Sequence, residues 1–311
     1  MMRYLSGWVR IIALMVYALQ LFFLQLFIRL EPTMFGVNLP GSFLLVTDIV
    51  ARYLPALAFA STFLLILYSL FSSSKVVKAI SLAFLAMMVV EDFLPLGYVE
   101  LIYGSVYWLA LSVAILSAPV ILLFITAIEK RSASVFAVAF SGLLASSFYI
   151  WSFLSRITFS LPPIDLLSAS VYAFVIAFAA LAVTMVKGHG SELYASLAIS
   201  LAMIVPVTYM TVSNLLVQKI MNMVLQTSLG APTPFPWFAP LFFLIFFTDI
   251  YALILSIRSR SFGPLSVAAG FTMIFTSVYL PYNALYSYIA FSGSLMVYLG
   301  LDQAKGLPDS S

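Results

Sequence analysis

The chain has 311 residues, of which 64% are hydrophobic and 8% charged, with a formal net charge of +3; its mean hydropathy is +1.14. Soluble domains carry about 45–50% apolar and about 25% charged residues, so a water-soluble enzyme, a disordered chain, a disulfide scaffold and a nucleic-acid binder are excluded. The sequence predicts an all-α, polytopic transmembrane helix bundle, a single integral membrane domain over residues 1–311 of the cell membrane, with the lipid bilayer as its solvent.

A spanning helix needs about 20 mostly apolar residues. In chain order the candidate spans are 11–28, 43–71, 76–96, 103–128, 133–154, 166–186, 193–217 and 237–257. The first follows Arg3 and Arg10 and has neither the short apolar stretch nor the small-residue cleavage site of a signal peptide, so it reads as an uncleaved helix. The remaining stretch, 262–301, reads as two short helices about the turn Leu280-Pro281-Tyr282-Asn283. That gives about ten spans; a single kinked helix with an external tail gives nine.

Arg3, Arg10, Lys75, Lys78, Lys130, Arg131, Lys187, Arg258 and Arg260 fall in alternate connections. By the positive-inside rule these face the cytoplasm and place the amino terminus there; with ten spans the tail is cytoplasmic too. The opposite connections hold Glu31, Glu100 and Asp165 with fewer cations, Arg29, Arg156 and Lys219. All connections are short, and no glycine-rich phosphate loop occurs, so no soluble catalytic or nucleotide-binding domain is expected.

A charge within hydrocarbon must pair, face a cavity or be neutral. Asp48 and Arg52 are four residues apart on the second span, within pairing reach on one helix face. Glu91 and Asp92 fall at a similar depth in the third span, so one outer cluster of Arg52 with Asp48 and Glu91 or Asp92 is expected. It reads as a clamp between two helices or as a proton or ion path opening outward. Asp249 lies near the middle of the eighth span, without a cation one turn away. It reads as a neutral carboxyl bonded to a neighbouring helix or as a protonatable relay.

The chain has no Cys and one His, His189, in a polar turn between Gly188 and Gly190. Thiol chemistry, iron–sulfur ligation, a bis-histidine haem and the usual zinc sites are excluded within this chain, so no metal site and no cofactor of its own are expected. Tyr282, Tyr286 and Tyr288 flank the last external turn and read as an interfacial aromatic belt, or as contacts for a partner or a quinone. The Pro-rich segment 231–236 beside Trp237 reads as a stiff loop or a docking surface.

Two functions from different classes follow. The start Met1-Met2-Arg3-Tyr4-Leu5, the absence of Cys and the single His accompany a size and span count that resemble the hydrophobic B subunit of the b-type cytochrome of thermoacidophilic archaea. The resemblance is global and carries over no functional residue. It implies a cofactor-free membrane subunit of a respiratory, electron-transfer complex that anchors an external haem-bearing partner and lines a quinone site. The scarcity of glycine, 14 residues against 28 Phe, favours such a static bundle over moving helices. The alternative is a proton- or ion-coupled secondary transporter with a five-plus-five inverted repeat, in which Pro55 matches Pro206 and Glu91-Asp92 matches Asp249. A membrane-embedded enzyme is third, since no nucleophile–base pair stands out and no catalytic residue is assigned.

Overall fold

The computed structural model describes residues 56, 58–71, 74–93, 106–158, 164–186, 193–202, 238–259, 261–277 and 283–303. Among the described residues every regular element is an α-helix. In chain order they are α1 (Ala58–Phe71), α2 (Lys75–Phe93), α3 (Val106–Lys130), α4 (Ala133–Thr158), α5 (Ile164–Val186), α6 (Leu193–Ala202), α7 (Phe238–Ser259), α8 (Gly263–Ser277) and α9 (Asn283–Gln303). Each falls within, or within a few residues of, a span expected from hydropathy, and the last stretch forms the two helices α8 and α9. Among the described residues three stretches are long and apolar enough to cross a bilayer: Ala110–Lys130, Ala133–Trp151 and Ala169–Val186.

Local chemistry explains where the helices start and stop. Ser74 caps α2: its Oγ accepts the Val77 N–H at 3.3 Å and its carbonyl accepts the Lys78 N–H at 3.0 Å. Helix α3 ends in a two-bond wrap, Ser132 N–H to Ala127 O at 3.2 Å and Arg131 N–H to Ile128 O at 3.4 Å. This is the Schellman pattern, which needs a left-handed residue after the helix. Arg131 takes that role with φ 50°, where glycine is usual. Ser132 then caps α4 through its Oγ, which accepts the Val135 N–H at 3.4 Å. The α7–α8 corner repeats the idea: Ser261 N–H reaches Ser256 O at 3.2 Å, Ser256 Oγ accepts the Leu265 N–H at 3.0 Å, and Pro264 occupies the first turn of α8, where its missing N–H costs nothing.

The chain divides into two compact units, Met1–Leu122 with Thr272–Leu299, and Leu123–Phe271 with Gly300–Ser311. In the first unit the core is aromatic. Phe84 of α2 stacks on Phe291 of α9, and Tyr288 of α9 meets the edge of Phe84 and of Phe59 in α1. Every residue of α9 from Ser287 to Gly300 is buried. Fourteen consecutive residues cover almost four turns, so the helix has no outward face over that length.

In the second unit α4 packs along α5, and α5 along α7. The buried positions of α4 are mostly small or β-branched (Val135, Val138, Ala139, Ser141, Ala145, Ser146), while Phe136, Phe140, Leu143 and Trp151 point outward. Small residues inside and large apolar residues outside suit a helix packed in lipid, where close backbone approach replaces the hydrophobic drive of water. Phe178 of α5 meets Phe271 of α8 edge-on at 5.9 Å. At the far end of α8 and α9, Gly300 lies against Gly263 and Val267: a Cβ there would stand 2.8 Å from the Gly263 carbonyl oxygen and 2.9 Å from the Val267 amide nitrogen.

Candidate functional site

The most developed polar arrangement among the described residues lies around α9 in the first unit. Thr62 of α1 is fully buried, and its hydroxyl donates to Ala58 O at 2.7 Å and to Tyr288 O at 3.1 Å. Ser292 Oγ lies 2.8 Å from Thr62 Oγ1. A hydroxyl has one proton; with that of Thr62 directed at carbonyls, Ser292 is the donor of the pair. Two residues along, Ser294 donates to Ala290 O at 2.7 Å and across to Pro119 O of α3 at 3.2 Å. Pro119 has no N–H to offer Ile115, and its own carbonyl accepts the proton of Ser294 from α9. Ser69 of α1 donates to Ser81 of α2 at 3.1 Å, and the Ser74 N–H donates to the Tyr298 hydroxyl at 3.2 Å.

These are neutral hydroxyl and carbonyl groups at helix–helix seams. Their chemistry is attachment: each cross-helix bond fixes the rotation and depth of one helix against the next, in surroundings where an unmade bond is costly. They tie α9 to α1 and α3, and α1 to α2. The sequence signal for them was the run Ser292-Gly293-Ser294 with Ser287 inside an apolar helix; small polar residues in a span mark helix contacts more often than chemistry.

A charged feature sits in the second unit. Lys130, at the end of α3, forms an ion pair with Asp302, at the end of α9. Close by in sequence, Ser261 Oγ donates to Gln303 O at 3.3 Å. Both partners of the ion pair are partly exposed, as suits the rim of a bundle rather than its core.

The residues singled out from the sequence fare differently. Asp48 and Arg52 lie outside the described residues, as do Trp237 and Tyr282. Glu91 and Asp92 fall in the last turn of α2, and Tyr286 in the first turn of α9, with backbone alone described. The outer charge cluster is therefore outside what the structure describes. Asp249 is half-buried on α7, next to the buried Thr248, whose hydroxyl bonds back to Ile245 O at 3.0 Å, and two residues before the fully buried Tyr251. Tyr288 corrects the aromatic-belt expectation. At 3% exposure its ring is a packing element between Phe59 and Phe84, because α9 is enclosed where a belt residue would face headgroups.

Among the described residues no group of His, Asp or Glu of metal-holding size occurs. No protein-family model, curated protein or solved structure matches the chain.

Proposed function

We propose that the chain is a static, cofactor-free, multi-pass subunit of the cell membrane that belongs to an electron-transfer assembly. It anchors an external haem-bearing partner, and the aromatic residues at its outer ends, Trp237, Tyr282 and Tyr286, line a quinone contact. The observation that carries the static part is the fastening of α9: a helix buried from Ser287 to Gly300 and bonded to α1 through Thr62–Ser292 and to α3 through Ser294–Pro119. Transporter helices that rock past each other need slippery seams; cross-helix hydroxyl bonds and a face-to-face Phe pair oppose sliding.

The ten-span topology with cytoplasmic termini belongs to the same reading. In the first unit the connection before Lys75 meets α9 near its carboxyl end, through Ser74 and Tyr298. In the second unit Lys130 meets Asp302 and Ser261 meets Gln303. Within each unit, then, the described basic connections lie beside the carboxyl end of α9, which supports a tail on the cytoplasmic side.

Native purification in mild detergent, with an optical spectrum and identification of co-purifying chains, tests the assignment. The expected result is a haem-bearing partner with a b-type absorption band. A lone band without haem, together with solute movement in liposomes that Asp249→Asn abolishes, would overturn it in favour of the transporter.

A further inference from the structure

Of the four large apolar residues most exposed among the described residues, three, Phe71, Ile128 and Ile257, stand at helix ends close in sequence to cations, and the fourth, Tyr194, lies in the first turn of α6. Phe71 is 78% exposed at the end of α1, and Val76 is exposed beside it; Ile257 is 70% exposed at the end of α7, with Phe262 exposed beyond it. Lys75 and Arg258, in the same corners, are also exposed, and Lys78 is half-exposed one turn beyond Lys75. The α1–α2 corner holds no acidic residue over 71–78, and the α7–α8 corner none over 257–266. The α3–α4 corner differs. Ile128 is again strongly exposed, but Glu129 stands beside Arg131 and Lys130 is paired with Asp302, so its charges cancel.

An exposed large apolar side chain next to an exposed cation matches the boundary of a leaflet: the apolar group enters the acyl region and the cation meets a headgroup phosphate. We propose that the α1–α2 and α7–α8 corners each bind anionic phospholipid of the cytoplasmic leaflet, with Phe71 and Val76 seated beside Lys75 and Lys78, and Ile257 and Phe262 beside Arg258. This rests on the membrane reading and on the cytoplasmic placement of those connections. A basic residue at such a surface is worth about 1 kcal/mol toward anionic lipid, or about fivefold in retention.

The test uses the full chain reconstituted in nanodiscs of mixed phosphatidylcholine and phosphatidylglycerol, with insertion checked by protease protection and helix content by circular dichroism. Lipid retained after gentle detergent extraction is quantified by mass spectrometry. Phosphatidylglycerol is expected to be enriched over its bulk share. The share held at a corner should fall about fivefold for each cation lost there, so Lys75→Gln with Lys78→Gln and, separately, Arg258→Gln should each remove part of the enrichment and all three together nearly all of it; it should survive Lys75→Arg with Lys78→Arg and be unchanged in Arg131→Gln. No enrichment in the inserted wild type, or equal enrichment in the inserted Gln variants, would overturn the proposal. A helical chain that never enters the bilayer would overturn the membrane reading, and this proposal with it.

Discussion

Phe84 and Phe291 lie face to face, their ring centroids 3.8 Å apart and the planes 9° from parallel. Both are fully buried, so α2 and α9 meet through two large flat surfaces with nothing between them. In lipid the gain from such a pair is dispersion and fit rather than escape from water. Phe84→Ala should therefore lower stability by about 3–5 kcal/mol, read as a shift in unfolding midpoint in detergent, and Phe84→Leu by less. A loss below about 1 kcal/mol for the alanine variant would mean that the two rings are not packed as described.

The Thr62–Ser292 bond separates fastening from mere burial. Thr62→Val keeps shape and removes the hydroxyl; Ser292→Ala removes its partner. A double-mutant cycle should return a coupling of about 0.6 kcal/mol, the usual value for a side-chain hydrogen bond between membrane helices. Strict additivity of the two changes would count against a direct bond.

Gly300→Ala should destabilise the chain by about 1–3 kcal/mol. The added methyl would meet the Gly263 carbonyl and the Val267 amide, backbone atoms that cannot swing aside. Val267→Ala should consequently fail to rescue Gly300→Ala in a thermal melt, because trimming the valine leaves both backbone atoms in place.

Arg131→Gly is expected to stabilise. The left-handed conformation costs a non-glycine residue about 1–2 kcal/mol, against about 0.5–1 kcal/mol of extra backbone entropy lost by glycine, leaving a gain of about 0.5–1 kcal/mol. Arg131→Ala should not reproduce the gain, since alanine keeps the Cβ.

The cysteine-free chain makes topology directly measurable. Single variants Arg131→Cys and Gln303→Cys should react with an impermeant thiol reagent from the same side of the membrane, the cytoplasmic one. Labelling from opposite sides would remove the ten-span arrangement and restore the kinked-helix alternative.

Helix positions were legible because length and apolar content are local properties. The start of α4 at Ala133, the reach of α5 to Val186 and the two separate helices α8 and α9 agree with the residues expected from hydropathy. Which face of each helix is inside was not legible. In water, burial and apolarity coincide; in lipid both faces are apolar, so Phe84 in the core and Phe140 on the outside belong to one residue type. Tyr288 illustrates the same difficulty: near a span end its ring suits the headgroup layer, and only the enclosure of α9 reveals it as core. Thr62, Ser292 and Ser294 do not stand out beside the charged residues of the sequence, yet they make joints of the first unit.

The position of α9 in the chain has a consequence for biogenesis. Helix α9 leaves the ribosome after α1, α2 and α3, the helices of the first unit that its side chains bond or stack against. The core of the first unit is thus completed only when the last of its helices, rich in serine, comes to lie among the other three.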